Sequence, residues 1–155
     1  MELVENFING QYVSSDSSAF IDIYEPATGD IYGKFKDSNA NDIDHAVRSA
    51  KNAFPDWSGL SIRERAVHLN NIANGIEQRL DEFAEFESRD TGKPIALARS
   101  LDIPRSVLNF KFFADHAMQF EFNFNLNSES SQNLINRSPL GVVACISPWN
   151  LPLYL

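Results

Sequence analysis

An uninterrupted apolar run lies near the C-terminal end of this chain, Gly-Val-Val-Ala-Cys-Ile at residues 141–146. A run without alternation predicts a strand buried on both faces, because parallel strands covered by helices have no solvent-facing positions. Ligands of open α/β sheets bind outside the carboxyl ends of such strands. The residues that follow, 146–152, are therefore the predicted functional segment.

Asn150 is the polar side chain of interest in that segment. Pro148 and Pro152 restrict the backbone on either side of it. Its amide can donate a hydrogen bond to a developing oxyanion. An ordinary turn asparagine accounts for the same position equally well, and residue pattern alone leaves both interpretations open.

Short strands are predicted at the beginning of the chain. Asn9-Gly10 lies between Phe7-Ile8 and Gln11-Tyr12-Val13, an arrangement typical of a hairpin with a type I′ turn. A second antiparallel pair is predicted from residues 20–23 and 31–35, joined by a turn with Pro26 and Gly29. We expect the two pairs to form one antiparallel meander.

Apolar residues spaced by three and four then predict helices. One helix carries residues 43–54, begins at an Asn39 or Asn41 cap and is expected to end at Pro55. A second begins at a capping box between Ser61 and Glu64. A third ends at Thr91-Gly92-Lys93-Pro94, and residues 95–120 form a long helical stretch that Pro104 must kink or split.

Alternation of Phe and Leu with polar residues over 120–126 predicts an extended segment. The Phe-rich tract 110–124 is expected to be core or subunit interface, since an exposed edge strand with alternating Phe is an aggregation risk. Leu134-Ile135 is also expected to be extended. The order of elements predicts a small antiparallel start, several helices and then the first strand of an α/β sheet.

Composition excludes several classes of function. The chain has 13 Lys and Arg against 21 Asp and Glu, a net charge of −8, so nucleic acid or an anionic membrane is not an expected partner. Its one cysteine cannot form an internal disulfide. The N-terminal residues show no signal peptide, and no apolar run approaches the roughly 20 residues of a membrane span. A cytoplasmic protein is expected.

Other candidate groups receive structural interpretations. Cys145, inside the apolar run, is expected to be a packed thiol and not a nucleophile. The three histidines lack the spacing of metal ligands; they are His45, His68 and His116. Several glutamates are expected on solvated helix faces, namely Glu77, Glu82, Glu85 and Glu87.

Pro139 to Val143, followed by Ile146-Ser147-Pro148-Trp149-Asn150, closely resembles a segment of NAD(P)-dependent aldehyde dehydrogenases that ends in Pro-Trp-Asn. Further matches occur in the family's order, at residues 7–10, 25–30, 46–47 with 53–54, and 90–94. Residues 102–107 with 109–110, and residues 146–155, look most like the branch that acts on 2-aminomuconate and 2-hydroxymuconate semialdehydes.

The resemblance implies an α/β fold class, namely the N-terminal part of the aldehyde dehydrogenase fold. This would be an incomplete Rossmann-like cofactor domain with antiparallel N-terminal strands, helices and oligomerisation strands. Residues 1–155 would be an N-terminal fragment of that domain. Residues from about 120 to 138 would be the oligomerisation region of a homo-oligomer, and residues 139–155 the first cofactor-domain strand with the Pro-Trp-Asn loop.

The resemblance also implies roles for particular residues. Asn150 would supply the oxyanion-hole amide. Arg105 is a candidate for binding a substrate carboxylate, with a helix-surface ion pair as the equal alternative. Backbone carbonyls near Ile23 and Asp90 would hold a monovalent cation. The NAD cofactor would be lined by Ile146, Ser147, Pro148, Trp149 and Asn150.

The implied activity is oxidation of an aldehyde to its acid with NAD. The expected substrate is 2-aminomuconate semialdehyde, a compound of the kynurenine pathway. The family's catalytic cysteine and glutamate would lie beyond residue 155, so the chain is expected to be inactive alone. The alternative is a short product that binds a full-length relative as a non-catalytic partner.

Overall fold

The computed structural model describes residues 2–155, which contain short strands and a set of helices. The strands are β1 (Glu2–Val4), β2 (Asn6–Ile8), β3 (Gln11–Val13), β4 (Phe20–Tyr24), β5 (Ile31–Lys36), β6 (Phe124–Asn127) and β7 (Gln132–Ile135). The helices are α1 (Ala40–Gly59), α2 (Ile62–Gln78), α3 (Leu80–Thr91), α4 (Ile95–Leu97) and α5 (Ile103–Gln119), with a π-helical turn, Ala98–Asp102, between α4 and α5. Within the described range, no helix has both the length and the apolarity to cross a bilayer.

The N-terminal strands form two sheets. The β2–β3 hairpin is confirmed, with Asn9 at φ 53° and Gly10 at φ 76° in its turn. The antiparallel β4–β5 pair is also confirmed. The prediction of a single antiparallel meander is wrong. β1 pairs in parallel with the edge of β5 opposite β4, and the β2–β3 hairpin forms a separate sheet.

Side-chain caps define where α1 and α2 begin. Asn39 Oδ1 accepts a 2.8 Å hydrogen bond from the Asn41 amide, and the Asn39 amide donates to Asp42 Oδ2 at 2.9 Å. In α2, the Glu64 amide donates to Ser61 Oγ at 3.2 Å and the Ser61 amide donates to Glu64 Oε2 at 2.7 Å. Both predicted helix starts are confirmed.

The predicted end of α1 at Pro55 is wrong. The helix continues through this proline to Gly59. Lys51 carries the carbonyl that an amide at position 55 would have bound. Both Lys51 and Pro55 are exposed. Water can therefore satisfy that carbonyl, which lowers the cost of a proline inside the helix.

The buried core lies where α2, α3 and α5 meet. It consists of small and branched side chains, with Leu153 among the half-buried residues packed against it; the buried members are Ala73, Ile76, Ala84, Ala98, Ile103 and Val107. The expected division of residues 95–120 at Pro104 is confirmed. Pro104 lies in the first turn of α5, directly after the π-helical turn, in which the Ile103 amide bonds to the Ala98 carbonyl.

The C-terminal strands differ from expectation. The extended segment predicted from residue 120 becomes a strand only at Phe124, where β6 begins and pairs with β7 in a hairpin. Phe112, Phe113 and Phe120 are exposed, so these members of the Phe-rich tract do not lie in the core. Residues 141–146 pair with no strand in the described part of the chain, so the predicted buried strand is wrong. A parallel strand needs hydrogen-bonding neighbours and covering helices, which these residues do not meet here. Cys145 is exposed for the same reason, so the prediction of a packed thiol is wrong.

Candidate functional site

The Pro-Trp-Asn segment and the residues after it form a turn docked on the helices. The Leu151 amide donates to the Pro148 carbonyl at 3.3 Å. Asn109 Nδ2, from α5, donates to the Tyr154 carbonyl at 3.1 Å, and Leu153 packs against the core. The segment is therefore held in place although the run before it is unpaired.

Lys93 contacts Asn150, the candidate oxyanion residue. Its Nζ lies 2.7 Å from Glu87 Oε1 and 2.7 Å from Asp102 Oδ2. The same ammonium donates to the backbone carbonyl of Asn150 at 3.0 Å. We call Glu87, Lys93 and Asp102 the charged triad. The Glu87 and Asp102 side chains are buried, at 4% and 3% exposed, and the Lys93 side chain is half-buried, at 13% exposed.

The solvated position expected for Glu87 is therefore wrong, whereas Glu77, Glu82 and Glu85 are exposed as predicted. Glu87 lies on the face of α3 that packs against the π-helical turn. A buried carboxylate is stable only when paired, and Lys93 supplies the opposite charge.

The chain turns sharply at Gly92 to place Lys93. Gly92 has φ 76°, a left-handed conformation that ends α3. A β-carbon at this position would lie 2.9 Å from Pro26 Cβ. Ser88 Oγ then donates to the Lys93 carbonyl at 2.7 Å, which fixes the backbone from which the lysine side chain extends.

Lys93 remains charged in this setting. Burial by itself lowers the pKa of its ammonium, but the hydrogen bonds to Asp102 and Glu87 favour the charged form more strongly. The net result is a pKa above the ordinary lysine value. The triad therefore combines two acidic groups with one permanent cation at neutral pH.

Arg105 lies on the exposed side of α5, in a groove of about 550 Å³ that also contains Asn109, Phe113 and Tyr154. Its Cζ is 5.9 Å from the centre of the Tyr154 ring. No carboxylate among residues 2–155 forms an ion pair with it, so the helix-surface pair is not observed in this range. Its role toward a substrate carboxylate stays a prediction.

Ile23 and Asp90 lie on neighbouring elements. Ile23, in β4, pairs with Gly33 of β5, and the adjacent Tyr32 donates its hydroxyl to Asp90 Oδ1 at 2.8 Å. In the described range, no three His, Cys, Asp or Glu side chains are placed to hold a metal ion. The proposed cation ligands were backbone carbonyls, so that site stays a prediction.

The residues expected to line the cofactor lie along one exposed stretch. Ile146 is 93% exposed and Trp149 is 83% exposed, and Ser147, Pro148 and Asn150 are exposed beside them. Apolar surface of this kind suits a flat heteroaromatic ring. Lys93 and Asp102 were missed as functional candidates, although both lie in segments on which the family resemblance depends.

The sequence profile described as "Aldehyde dehydrogenase family" matches residues 12–155. The chain is 45% identical over 154 residues to 2-aminomuconic semialdehyde dehydrogenase of Homo sapiens, covering 99% of this chain and 31% of that protein. It is 40% identical over 160 residues to 2-hydroxymuconic semialdehyde dehydrogenase of Pseudomonas sp. strain CF600, covering 100% of this chain and 33% of that protein. The chain thus spans about a third of the length of these curated relatives.

The fold comparison agrees with the sequence comparison. The crystal structure of PnpE in complex with nicotinamide adenine dinucleotide superimposes with a TM-score of 0.89 and 37% identity, over 97% of this chain and 31% of that one. PnpE is a protein of Pseudomonas sp. WBC-3. The predicted fold class, the N-terminal part of the aldehyde dehydrogenase fold, is confirmed. On the match over residues 12–155, this chain belongs to the aldehyde dehydrogenase family.

Proposed function

We propose that this chain supplies the oxyanion amide and part of the cofactor surface of an NAD-dependent aldehyde dehydrogenase. The observation that carries the proposal is the fixed position of Asn150, whose backbone carbonyl is bound by Lys93 at 3.0 Å. Holding the backbone limits the positions from which the side-chain amide can be presented, and oxyanion stabilisation requires donors placed in advance. The substrate we propose is 2-aminomuconate semialdehyde, supported by the 45% identity to the human enzyme of that name.

The chemistry that NAD would supply when bound is acceptance of a hydride from the former aldehyde carbon after nucleophilic addition. The residues we assign to holding it are the exposed stretch named above: Ile146, Ser147, Pro148, Trp149 and Asn150. Ile146 and Trp149 offer apolar side chains. Because this stretch is exposed, the cofactor has access to its backbone as well as its side chains.

Asn150 would act on the oxygen that becomes negatively charged when a nucleophile attacks the aldehyde. Its amide can donate to that oxygen, and such a donor contributes about 3–4 kcal/mol of transition-state stabilisation. The chain contains one cysteine, Cys145, which does not lie in the family's nucleophile motif. We therefore propose that these 155 residues alone do not oxidise aldehydes and that nucleophile and base come from additional sequence.

Arg105 would select among aldehydes. Its guanidinium lies in the groove beside Tyr154, and the Tyr154 carbonyl is tied to Asn109. A guanidinium binds a carboxylate through two parallel hydrogen bonds. An anionic semialdehyde is therefore the substrate class that this groove favours.

The proposal is tested in a joined enzyme, made by replacing the matching N-terminal part of the human relative with this chain. We expect aldehyde-dependent NADH formation by the joined enzyme. We expect Asn150→Ala to lower kcat by about 100- to 1000-fold. Unchanged turnover in that variant, measured by NADH absorbance, would refute the role of Asn150.

A second candidate function is association with a full-length relative without catalysis. Exposed apolar residues at 140–146 support it, since Leu140 is 95% exposed and Val143 is 61% exposed. Exposed apolar surface of this kind marks contact sites. We also keep residues 120–138 as the proposed oligomerisation region. Co-expression with the human relative followed by size exclusion tests both ideas, and absence of co-elution counts against them.

A further inference from the structure

We infer that Lys93 is a positioning residue for Asn150: Glu87 and Asp102 aim its ammonium at the Asn150 carbonyl and so hold the oxyanion amide in place. This inference rests on the proposed function of Asn150. It concerns a residue that does not itself touch substrate or cofactor in our proposal. Its effect is transmitted through one peptide group.

The first argument is the number of donors. A lysine ammonium has three N–H donors. Three oxygen atoms lie within hydrogen-bonding distance of Nζ, two from carboxylates at 2.7 Å and one from the Asn150 carbonyl at 3.0 Å. Because the carboxylates occupy two donors, the direction of the third is determined. The ammonium cannot rotate away from Asn150 without losing a charged hydrogen bond.

The second argument is burial. The carboxyl side chains are 4% and 3% exposed, so water cannot readily replace the lysine. Two buried negative charges face a single positive charge, and removing Lys93 would leave both uncompensated. The lysine is therefore confined to this position, and its contact with Asn150 joins segments 57 residues apart.

The third argument is how Asp102 is placed. It is the last residue of the π-helical turn, where the Ile103 amide bonds to the Ala98 carbonyl. Ser106 Oγ donates to the Asp102 carbonyl at 2.9 Å and fixes its backbone. Inserted π-helical turns occur frequently at functional sites, because they shift the register of side chains along a helix. Here the turn buries the carboxylate that faces Lys93.

Lys93 could instead serve only as a general stabiliser, and a variant without charge at the three triad positions separates the two roles. In the triple variant Glu87→Gln, Lys93→Met, Asp102→Asn, no buried charge is left unpaired, but Asn150 loses its donor. The control is the double variant Glu77→Gln, Lys111→Met. It removes an exposed ion pair whose nitrogen–oxygen separation, 2.7 Å, equals those of the triad.

The first measurement is amide hydrogen exchange in the 155-residue chain, which needs no activity. The Leu151 amide, bonded to the Pro148 carbonyl, reports on the turn that contains Asn150. Core amides such as those of Ile76 and Val107 report on global opening. We expect the triple variant to exchange at Leu151 about 10-fold faster relative to the core, since a charged hydrogen bond contributes about that factor to local opening. The control variant should show no such change.

Two exchange results would overturn the inference. One is an unchanged rate at Leu151 in the triple variant. The other is equal acceleration of the turn and the core, which would make Lys93 a general stabiliser.

The second measurement is turnover of the joined enzyme. We expect the triple variant to lower kcat by about 10-fold, with the KM for the aldehyde unchanged, because a misplaced amide weakens transition-state binding. Full turnover in the triple variant alongside a strong loss in Asn150→Ala would refute positioning by Lys93 and leave the function intact. No loss in Asn150→Ala would refute the function instead, while the exchange result would still decide whether Lys93 holds the turn.

Discussion

The hydroxyl of Tyr32 donates a 2.8 Å hydrogen bond to Asp90 Oδ1 and thereby joins β5 to the last turn of α3. The guanidinium of Arg89 lies over the same ring, 4.2 Å from its centre. Burial, together with the hydrogen bond to Asp90 and its negative charge, raises the pKa of Tyr32 to about 12. The contact ties the N-terminal sheet to the helix end from which Lys93 extends.

We predict that Tyr32→Phe removes a titration step with a midpoint near pH 12. The neutral phenol is favoured in the folded chain, so its contribution to stability is complete below the unfolded pKa of about 10 and is lost as pH rises through the folded value. Ultraviolet absorbance of tyrosinate against pH measures the step. Tyr24→Phe, at an exposed tyrosine, serves as the control. Identical curves for Tyr32→Phe and the unmodified chain would contradict the assignment.

We predict that Lys93→Met lowers the free energy of unfolding by about 3–5 kcal/mol, because it leaves Glu87 and Asp102 buried without a counter-charge. Urea denaturation followed by circular dichroism measures the change. The triple variant, in which none of the three side chains is charged, should recover much of the loss. A single Lys93→Met variant as stable as the unmodified chain would show that the carboxylates are not held as buried charges.

The same lysine predicts a loss of stability at alkaline pH. Its pKa is raised above the ordinary lysine value of 10.5, so its contribution to stability is complete below that pH and declines as pH rises through the folded value. The free energy of unfolding of the unmodified chain should fall more steeply above pH 10.5 than that of the triple variant. Parallel curves from urea denaturation at several pH values would count against this interpretation.

Two glycines should respond to alanine in opposite directions. Gly92 has φ 76° and its added β-carbon would lie 2.9 Å from Pro26 Cβ, so Gly92→Ala should cost at least about 1–2 kcal/mol. Gly75 is inside α2, and an added β-carbon there meets nothing within 4 Å. Gly75→Ala should therefore stabilise by about 0.5–1 kcal/mol. Thermal denaturation of the two variants compares them directly, and a shift in the same direction would refute the prediction.

Removal of the α2 cap should destabilise the chain. Ser61→Ala eliminates the acceptor for the Glu64 amide and should cost about 1 kcal/mol. The matched control is Asn74→Ala, at an exposed position inside the same helix, which should be neutral or slightly stabilising. Chemical denaturation measures both. Equal stability of the two variants would mean that the cap contributes nothing.

Arg105 should discriminate among substrates. In the joined enzyme, Arg105→Ala should raise KM for a carboxylated semialdehyde more than for a neutral aldehyde, since only the former loses a charged hydrogen bond. Steady-state NADH formation with both substrates measures the difference. Equal increases would assign Arg105 a structural role.

Local chemistry explains which predictions were confirmed. The Asn9-Gly10 turn, the caps at Asn39 and Ser61 and the division of the helix at Pro104 depend on neighbours within a few residues. Hydrogen-bonding side chains and restricted backbone angles act at that range. Pro55 shows the limit, because its tolerance depends on whether the carbonyl it cannot bind is exposed.

The candidate site divides in the same way. The residue pattern singled out Asn150, and the family resemblance supported its expected role and added Arg105. Neither the residue pattern nor the resemblance identified Lys93 and Asp102 as site residues. A buried ion pair has no sequence period, and Glu87 lies among glutamates that are exposed. The apolar pattern also gave a wrong prediction of a buried strand at residues 141–146, since such a strand requires partner strands that these residues do not meet.

Local residue patterns and motifs shared with relatives were enough to assign the family, the β2–β3 hairpin and the starts of α1 and α2. The pairing of β1 with β5, and the contact of Lys93 with Asn150 from 57 residues away, follow from tertiary packing. Such contacts depend on how α3, the π-helical turn and the C-terminal segment pack. A charge that water would solvate on an isolated helix must be paired with an opposite charge once its side chain is buried.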